Sequence, residues 1–292
     1  MSWVPKTIGA YLELARLSNI PTCWSNVLVG CAIGGLSGWA DWPTIAMMAL
    51  AISLLYIAGM ALNDAADHKV DRQQRSERPI PSGRVSLRAA YIFAGITMAT
   101  AIGLLTTLGL ASLLLGLLLA ASIIAYDYLH KKFAASAALM GLCRGLVYLA
   151  AAAAVAWPLD WTISLTIAGA LTVYITIITF IAQTEVGSTT GLRRRLGIAL
   201  PLVVLLPTAF VRAESWSWTV VVAVLAVLWL TLAARHALAQ PPRTKNAVLT
   251  WLSGICLIDA FYLTLLDRPQ FAAAALGCFV LTAIGHRYIL GT

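Results

Sequence analysis

The sequence predicts an all-α protein, a polytopic helical bundle that crosses a membrane with nine core helices and a tenth. Hydrophobic residues make up 60% of the 292-residue chain and charged residues only 11%, whereas a soluble domain carries about 25% charged residues. Uncharged runs such as residues 42–62 and 161–184 are long enough to span a bilayer, which takes about 20 apolar residues. We therefore expect an integral membrane protein with one domain, residues 1–292.

Ten segments have the length and apolarity of membrane spans. Residues 89–126 contain no charge, and at 1.5 Å per residue this run measures about 57 Å, nearly twice the hydrocarbon core, so it must fold into two spans. The seventh segment is short and contains Pro201 and Pro207, which predicts a kinked or irregular helix; the last two could also form one span and a re-entrant piece. The predicted spans are residues 17–38, 42–64, 88–106, 109–127, 135–156, 161–183, 196–212, 216–234, 246–266 and 269–286.

Basic residues gather on one side of the predicted spans. That side contains the N-terminal segment and the loops after spans two, four, six and eight, whereas Arg212 and Arg268 are the basic residues of the opposite side. Cytoplasmic loops carry an excess of Lys and Arg, so we expect both termini and the charged loops in the cytoplasm. The net charge of +8 then reports topology, and we expect no nucleic-acid partner.

The N-terminus and the cysteines fit the same class. No small-residue cleavage site follows the N-terminal basic residues, so we expect no cleavable signal peptide. The five cysteines lie in apolar segments without a Cys-x-x-Cys pair, which indicates small buried hydrophobic residues and not a disulfide or metal set. We expect the protein in a bacterial cytoplasmic (inner) membrane.

The densest charge in the chain follows the second predicted span, where residues 63–83 contain four acidic and four basic residues. Asn63, Asp67 and Asp71 are four residues apart and share one face if the helix continues, with Asp64 near the same stripe. Carboxylate and amide oxygens suit Mg²⁺, which is usually bound by one or two carboxylates together with substrate phosphates. The stripe therefore predicts a Mg²⁺ site.

Arginines come directly after these acids, among them Arg72 and Arg78. A guanidinium group binds a pair of phosphate oxygens well, so the segment as a whole has the composition of a Mg²⁺–diphosphate site. The alternative is a solvated loop whose charges only set the topology. The helical spacing of the acids, and their position at the membrane boundary where charge is costly unless used, favour the binding site.

Three further residues inside predicted spans are candidates for the site. Arg144 is two to three turns inside span five, and an intramembrane arginine is a functional candidate by default; it could bind a substrate phosphate or pair with an acid. Asp259 lies near the bilayer midplane and could hold an acceptor hydroxyl or act as a base, or it could be a hydrogen-bonded packing residue. Asn26 in span one is a cavity group or a helix–helix hydrogen bond.

The charged segment resembles the first aspartate-rich signature of the UbiA superfamily of intramembrane prenyltransferases. That signature is N-D-x-x-D-x-x-x-D followed by R-P-[IL]-x-S-G, and residues 63–71 are NDAADHKVD while residues 78–83 are RPIPSG. Residues 16–21, Arg-Leu-Ser-Asn-Ile-Pro, resemble more loosely the arginine and proline at the start of the family's first helix. Residues 126–132, which contain Tyr126, Lys131 and Lys132, are similar to its Tyr-to-Lys loop.

The resemblance implies a bundle around a central cavity, with a Mg²⁺-dependent transfer of a prenyl group from a prenyl diphosphate to a small, often aromatic, acceptor. It assigns Asn63, Asp64, Asp67 and Asp71 to catalysis and metal binding. Together with the polar residues inside the spans, this gives a larger set of predicted substrate contacts: Arg16, Asn26, Arg72, Arg78, Tyr126, Lys131, Lys132, Arg144, Glu185 and Asp259.

The family's second acidic signature is reduced in this sequence. After span six, where D-x-x-x-D is expected, the only acid is Glu185, which would be a metal ligand with fewer partners. Two alternatives therefore stay open. The protein could be a non-catalytic carrier of isoprenoid lipids on the same scaffold, or it could transfer a prenyl chain to a phosphorylated sugar or glycerol.

Overall fold

The computed structural model describes residues 6–36, 38–129, 133–183, 191–239 and 243–288, and every secondary-structure element in these ranges is helical. The predicted all-α class is confirmed. The helices are α1 Lys6–Leu14, α2 Ile20–Ile33, α3 Trp42–Gln74, α4 Leu87–Leu105, α5 Leu110–Leu129, α6 Ala137–Val155, α7 Trp161–Ala182, α8 Gly191–Leu205, α9 Trp216–Leu238, α10 Thr244–Leu265 and α11 Pro269–Tyr288.

Helices α2–α11 correspond to the ten predicted spans, and α1 is an additional helix that the sequence reasoning did not predict. In the described ranges, eight helices are long and apolar enough to cross a membrane, whereas α2 has 14 residues and α8 has 15. The last two predicted spans are separate helices, each long and apolar enough to cross a membrane, which favours two spans over one span and a re-entrant piece. As predicted, the seventh span is irregular, since α8 contains Pro201 and ends in a 3₁₀ turn, Leu206–Ala209.

The bundle is a ring of sequential neighbours closed around α2. Each helix from α2 onward packs against the next, and α11 returns to contact α2, which also packs against α6 and α10. Twelve of the 14 residues of α2 are buried, and so is every residue of α10 from Ser253 to Leu265. A short helix can occupy this central position because its neighbours, rather than lipid, surround it.

Helix α3 is longer than predicted. We expected the second span to end at residue 64, but the helix continues for ten more residues to Gln74. Alanine, lysine and glutamine in this stretch favour the helix, and the first proline is Pro79. At 1.5 Å per residue the helix is about 50 Å long, which exceeds the ~30 Å hydrocarbon core. The predicted acids therefore lie on a rigid helix and not in a loop.

Close packing of α2 on α6 depends on Gly30. A Cβ atom at this position would lie 2.5 Å from Ala151 Cβ and 2.6 Å from the Tyr148 carbonyl oxygen, both closer than atoms can approach. Small residues allow helix backbones to pack closely in membranes.

We expect Gly30→Ala to lower the free energy of unfolding by about 1–3 kcal/mol, the usual effect of overpacking. Thermal unfolding in detergent measures this. Gly95→Ala is the matched control, because a Cβ atom on this α4 glycine meets no atom within 4 Å, and it should leave the protein as stable or slightly more stable. Equal stability of both variants would contradict the packing argument.

Candidate functional site

The continuation of α3 presents four polar residues on one stripe. At 100° per residue, Asn63, Asp67, Asp71 and Asp64 fall within an arc of about 100°, as the spacing predicted. Asp64 and Asp71 are buried, with 4% and 3% of their surface exposed. Carboxylates this well shielded need partners, because burying a charge without one is costly.

Two arginines provide partners for the buried carboxylates. Arg16 Nη2 donates a 2.8 Å hydrogen bond to Asp64 Oδ1, and Arg78 Nη1 bridges Asp64 Oδ1 at 3.2 Å and Asp71 Oδ2 at 2.8 Å. Helix α3 therefore has both buried acids tied to cations from other segments. We call Arg16, Asn63, Asp64, Asp67, Asp71 and Arg78 the α3 cluster.

Arg16 reaches the α3 cluster from the turn between α1 and α2. Its backbone is left-handed, with φ 44° and ψ 52°, which is uncommon for a residue with a side chain. Burial by itself lowers the pKa of the Arg16 guanidinium, but Asp64 and Asp71 raise it, and the net pKa lies above its ordinary value. Arg16 is therefore a permanent cation at this site.

The Arg-Pro-Ile-Pro-Ser-Gly segment forms a compact turn that holds Arg78. Ser82 donates to the Arg78 carbonyl oxygen twice, from Oγ at 2.7 Å and from its backbone N–H at 3.0 Å. Gly83 follows with φ 76°, where glycine is favoured. Arg84 then binds both carboxylate oxygens of Glu13 on α1, at 2.6 and 3.1 Å, and this pair raises the pKa of Arg84. The turn thus connects α1 with the end of α3.

On the other side of the stripe, the α3 cluster contacts α5. Asn63 Nδ2 donates a 3.0 Å hydrogen bond to Asp127 Oδ1, and Asp127 is buried. Asp67 and Asp127 both lie close enough to act electrostatically on Tyr126. Sequence reasoning selected Tyr126 but overlooked Asp127, although this acid at the end of a 38-residue run without charge was the available signal.

The acids do not form a complete metal site by themselves. Within the described ranges, no three His, Cys, Asp or Glu residues converge on one point as metal ligands would. The reason is visible in the contacts, because Asp64 and Asp71 face arginines while Asn63 faces Asp127. A metal ion here would need oxygens from a bound ligand as well.

An apolar cavity lies next to the α3 cluster, between α2, α3, α5 and α6. Aliphatic and sulfur-containing side chains form most of its wall. The polar residues of its lining are Tyr56, Tyr126, Asp127 and Arg144. Since Asp127 binds Asn63, the cavity and the α3 cluster form one continuous site.

The three intramembrane polar residues predicted separately form one network. Arg144 Nη1 donates to Asn26 Oδ1 at 2.9 Å, and Asn26 Nδ2 donates to Asp259 Oδ2 at 2.8 Å. The other Asp259 oxygen accepts a hydrogen bond from the Tyr148 hydroxyl. Arg144 also lies 5.8 Å from the centre of the Tyr56 ring. Sequence reasoning identified each residue but not their connection, because it joins three helices distant in the chain.

The remaining predicted residues lie apart or outside the described ranges. Arg72 is exposed to solvent. Lys131, Lys132 and Glu185 fall in residues 130–132 and 184–190, which the structure does not describe. The five cysteines are free and buried, as expected; Cys23 accepts a weak contact from Arg144 and was not predicted to be at the site.

Comparison with known proteins yields one family and several relatives. The model of the UbiA prenyltransferase family matches residues 23–255. The digeranylgeranylglyceryl phosphate synthase of Sulfolobus acidocaldarius is 30% identical over 122 residues, 42% of this chain and 43% of that protein. The Methanopyrus kandleri protein of the same name is 41% identical over 100 residues, 34% of this chain and 35% of its own.

A second kind of relative has a different name. The 4-hydroxybenzoate octaprenyltransferase of Paracidovorax citrulli is 30% identical over 146 residues, 47% of this chain and 48% of that protein. The chain thus spans less than half the length of each of these curated relatives.

Solved structures share the fold. The apo UbiA homolog from Aeropyrum pernix K1 has a TM-score of 0.67 at 19% identity, covering 83% of this chain and 96% of its own. The UbiA homolog from Archaeoglobus fulgidus bound to GPP and Mg²⁺ has a TM-score of 0.63 at 16% identity, covering 93% and 99%.

Proposed function

The chain belongs to the UbiA prenyltransferase family, whose model matches residues 23–255, and from this premise we propose that it transfers a prenyl group from a prenyl diphosphate to a small acceptor with the help of Mg²⁺. One observation supports this most directly. The carboxylates and arginines of the α3 cluster adjoin an apolar cavity through the Asn63–Asp127 hydrogen bond. Such a site can hold a diphosphate at one end and a hydrocarbon chain at the other.

Arg16 and Arg78 are the proposed diphosphate ligands. Both already bind carboxylate oxygens at 2.8 Å, so their guanidinium groups are positioned for anionic oxygens, which they can bind two at a time. Arg72, Lys131 and Lys132 remain predicted contacts on the strength of the sequence. The positive charges of these side chains would stabilise the negative charge that develops on the leaving diphosphate.

The donor set suits a magnesium ion that is shared with substrate. Mg²⁺ keeps several waters and is commonly bound by one or two carboxylates plus phosphate oxygens, which agrees with an oxygen-rich stripe that lacks a complete cage among the described residues. We assign Asn63, Asp67 and Asp71 as ligands and Asp64 to holding Arg16 and Arg78; Glu185 stays a predicted ligand. When bound, the ion supplies positive charge that stabilises the departing diphosphate.

The remaining steps of the proposed reaction take place in the apolar cavity. The C1–O bond of the donor breaks and its electron pair leaves with the diphosphate, which generates an allylic cation. The apolar wall keeps water from this cation, and the faces of Tyr56 and Tyr126 can stabilise it. A nucleophilic atom of the acceptor then bonds to C1 and loses its proton.

Lipid analysis tests transfer against the carrier alternative. We expect cells that express the protein to contain a species whose mass equals an acceptor plus a prenyl group. Cells with the Asp67→Asn/Asp71→Asn variant should lack it, because two of the three proposed metal ligands on α3 lose their charge. Mass spectrometry of lipids and small aromatics, at matched protein levels in the membrane, makes the comparison. The carrier alternative predicts that cells with the wild type and the variant have identical profiles. It also predicts that a labelled prenyl diphosphate supplied to the wild-type protein is recovered intact.

A further inference from the structure

Arg144 has unused hydrogen-bonding capacity at the wall of the cavity. A guanidinium group has five N–H donors. In the part of the chain that the structure describes, only Nη1 of Arg144 makes hydrogen bonds, to Asn26 Oδ1 at 2.9 Å and to Cys23 Sγ at 3.5 Å. No hydrogen bond joins Nε or Nη2 to an acceptor of the described residues, while the side chain lines the cavity.

No carboxylate of the described ranges pairs directly with Arg144. Among the described residues its nearest acid in the network is Asp259, and Asn26 stands between the two, so there is no ion pair. A cation inside the membrane normally faces a partner, because an uncompensated charge there is costly. A purely structural arginine would be expected to contact Asp259 directly.

The network behind Arg144 fixes its position. Asn26 uses its amide oxygen for Arg144 and its amide nitrogen for Asp259, whose other oxygen is held by Tyr148. These bonds hold Arg144 from one side only. Arg144 itself lines the cavity, so a side chain held in this way is the arrangement of a prepared anion site.

Depth separates Arg144 from the α3 cluster. The guanidinium lies 5.8 Å from the Tyr56 ring, and Tyr56 precedes Asp67 on α3 by eleven positions, about 16 Å along the helix. This is the rise between the two backbone positions, and it places Tyr56 deeper in the bundle than Asp67 and Asp71. Arg144 therefore suits an anion other than the diphosphate.

We propose that Arg144, positioned by Asn26 and Asp259, binds an anionic group of the acceptor, a phosphate or a carboxylate, while Arg16 and Arg78 bind the diphosphate of the donor. This proposal rests on the proposed function, since it names the class of the second substrate. Asn26 and Asp259 are positioning residues in it. The acceptor would lie with its charge at Arg144 and its nucleophile toward the α3 cluster.

Binding measurements in phosphatidylcholine nanodiscs test the proposal without turnover. The probes are 4-hydroxybenzoate, a carboxylate, and geranylgeranylglyceryl phosphate, a phosphate, each with Mg²⁺ and the unreactive donor geranyl S-thiolodiphosphate. We expect Arg144→Gln to weaken binding of one anionic probe by about 10- to 100-fold, the effect of losing a charged hydrogen-bond partner. Binding of the donor analogue should stay unchanged. The probe that loses affinity identifies the anion class.

Two further variants separate recognition from folding. Asn26→Ala removes the amide between Arg144 and Asp259 and should weaken binding of the anionic probe while the donor analogue still binds. Arg144→Lys keeps the charge and should retain part of the affinity, which covers the case in which Arg144→Gln does not fold. Arg287→Gln, an exposed arginine on α11, is the control and should bind both ligands normally.

The possible failures are distinguishable. Equal affinity of the wild type and the Arg144 variants for both probes, including no binding by any of them, overturns the proposal for Arg144. Failure of the wild type to bind the donor analogue with Mg²⁺ overturns the proposed function instead.

Discussion

We expect the Asp67→Asn variant to lose about 10³-fold in the rate of prenyl transfer, the upper range for removing one electrostatic contact to a developing charge. Asparagine keeps the size of the side chain but removes the negative charge proposed to hold the metal–diphosphate complex. Asp67 is only partly buried, so the protein should still accumulate in the membrane. Product formation per amount of membrane protein is the measurement.

Asp41→Asn is the matched control for this result. Asp41 lies immediately before the other end of α3 and is exposed, so the same chemical change there should leave the rate as it is. A rate for Asp67→Asn that equals that of the control would remove Asp67 from the proposed machinery. Loss of both the rate and the protein would indicate a structural role.

The second large effect concerns stability. Asp64→Asn should lower the free energy of unfolding by about 3–5 kcal/mol, because it leaves the shielded Arg16 without its carboxylate and removes one of the two carboxylates that Arg78 contacts, and breaking a buried ion pair from one side has this cost. Arg16 and Arg78 both contact the same oxygen, Asp64 Oδ1, at 2.8 and 3.2 Å. Chemical or thermal unfolding in detergent measures the loss.

Glu13→Gln provides the comparison, since it removes an ion pair that is exposed. The side chains of Arg84 and Glu13 are 38% and 44% exposed, and pairs of this kind contribute roughly 0–1 kcal/mol. If Asp64→Asn were no more destabilising than Glu13→Gln, the buried pairs would not be structural anchors. Adding Arg16→Met to Asp64→Asn should recover part of the loss, since it removes one unpaired cation.

Most of the helical layout was predictable because hydrophobicity and length alone define a membrane span. Eight of the described helices satisfy both criteria, and apart from the C-terminal end of α3 their bounds lie close to the predicted ones. The extension of α3 was not predictable in this way, since a charged stretch after an apolar one has the same composition whether it is helix or loop. Only the spacing of Asn63, Asp67 and Asp71 favoured a helix. The sequence does not show which side chains contact that face of the helix.

The site was predicted residue by residue rather than as an arrangement. Spacing along α3 is local information, so the acids of that helix could be grouped in advance. The Arg144–Asn26–Asp259 network joins α6, α2 and α10, and such contacts depend on helix packing that a single sequence does not contain. The contacts of Asp64 and Asp71 with arginines, and of Asn63 with Asp127, also depend on helix packing and could not be predicted.

The bridging position of Arg78 has a thermodynamic consequence. With Asp64 and Asp71 on its guanidinium, the ligand-free protein already contains an internal substitute for a phosphate, so an arriving diphosphate would have to exchange with a carboxylate. A cation that binds the displaced carboxylate makes that exchange easier, and by reciprocity the diphosphate strengthens the binding of the cation by the same factor. Metal and donor would then bind cooperatively, and neither would bind tightly alone.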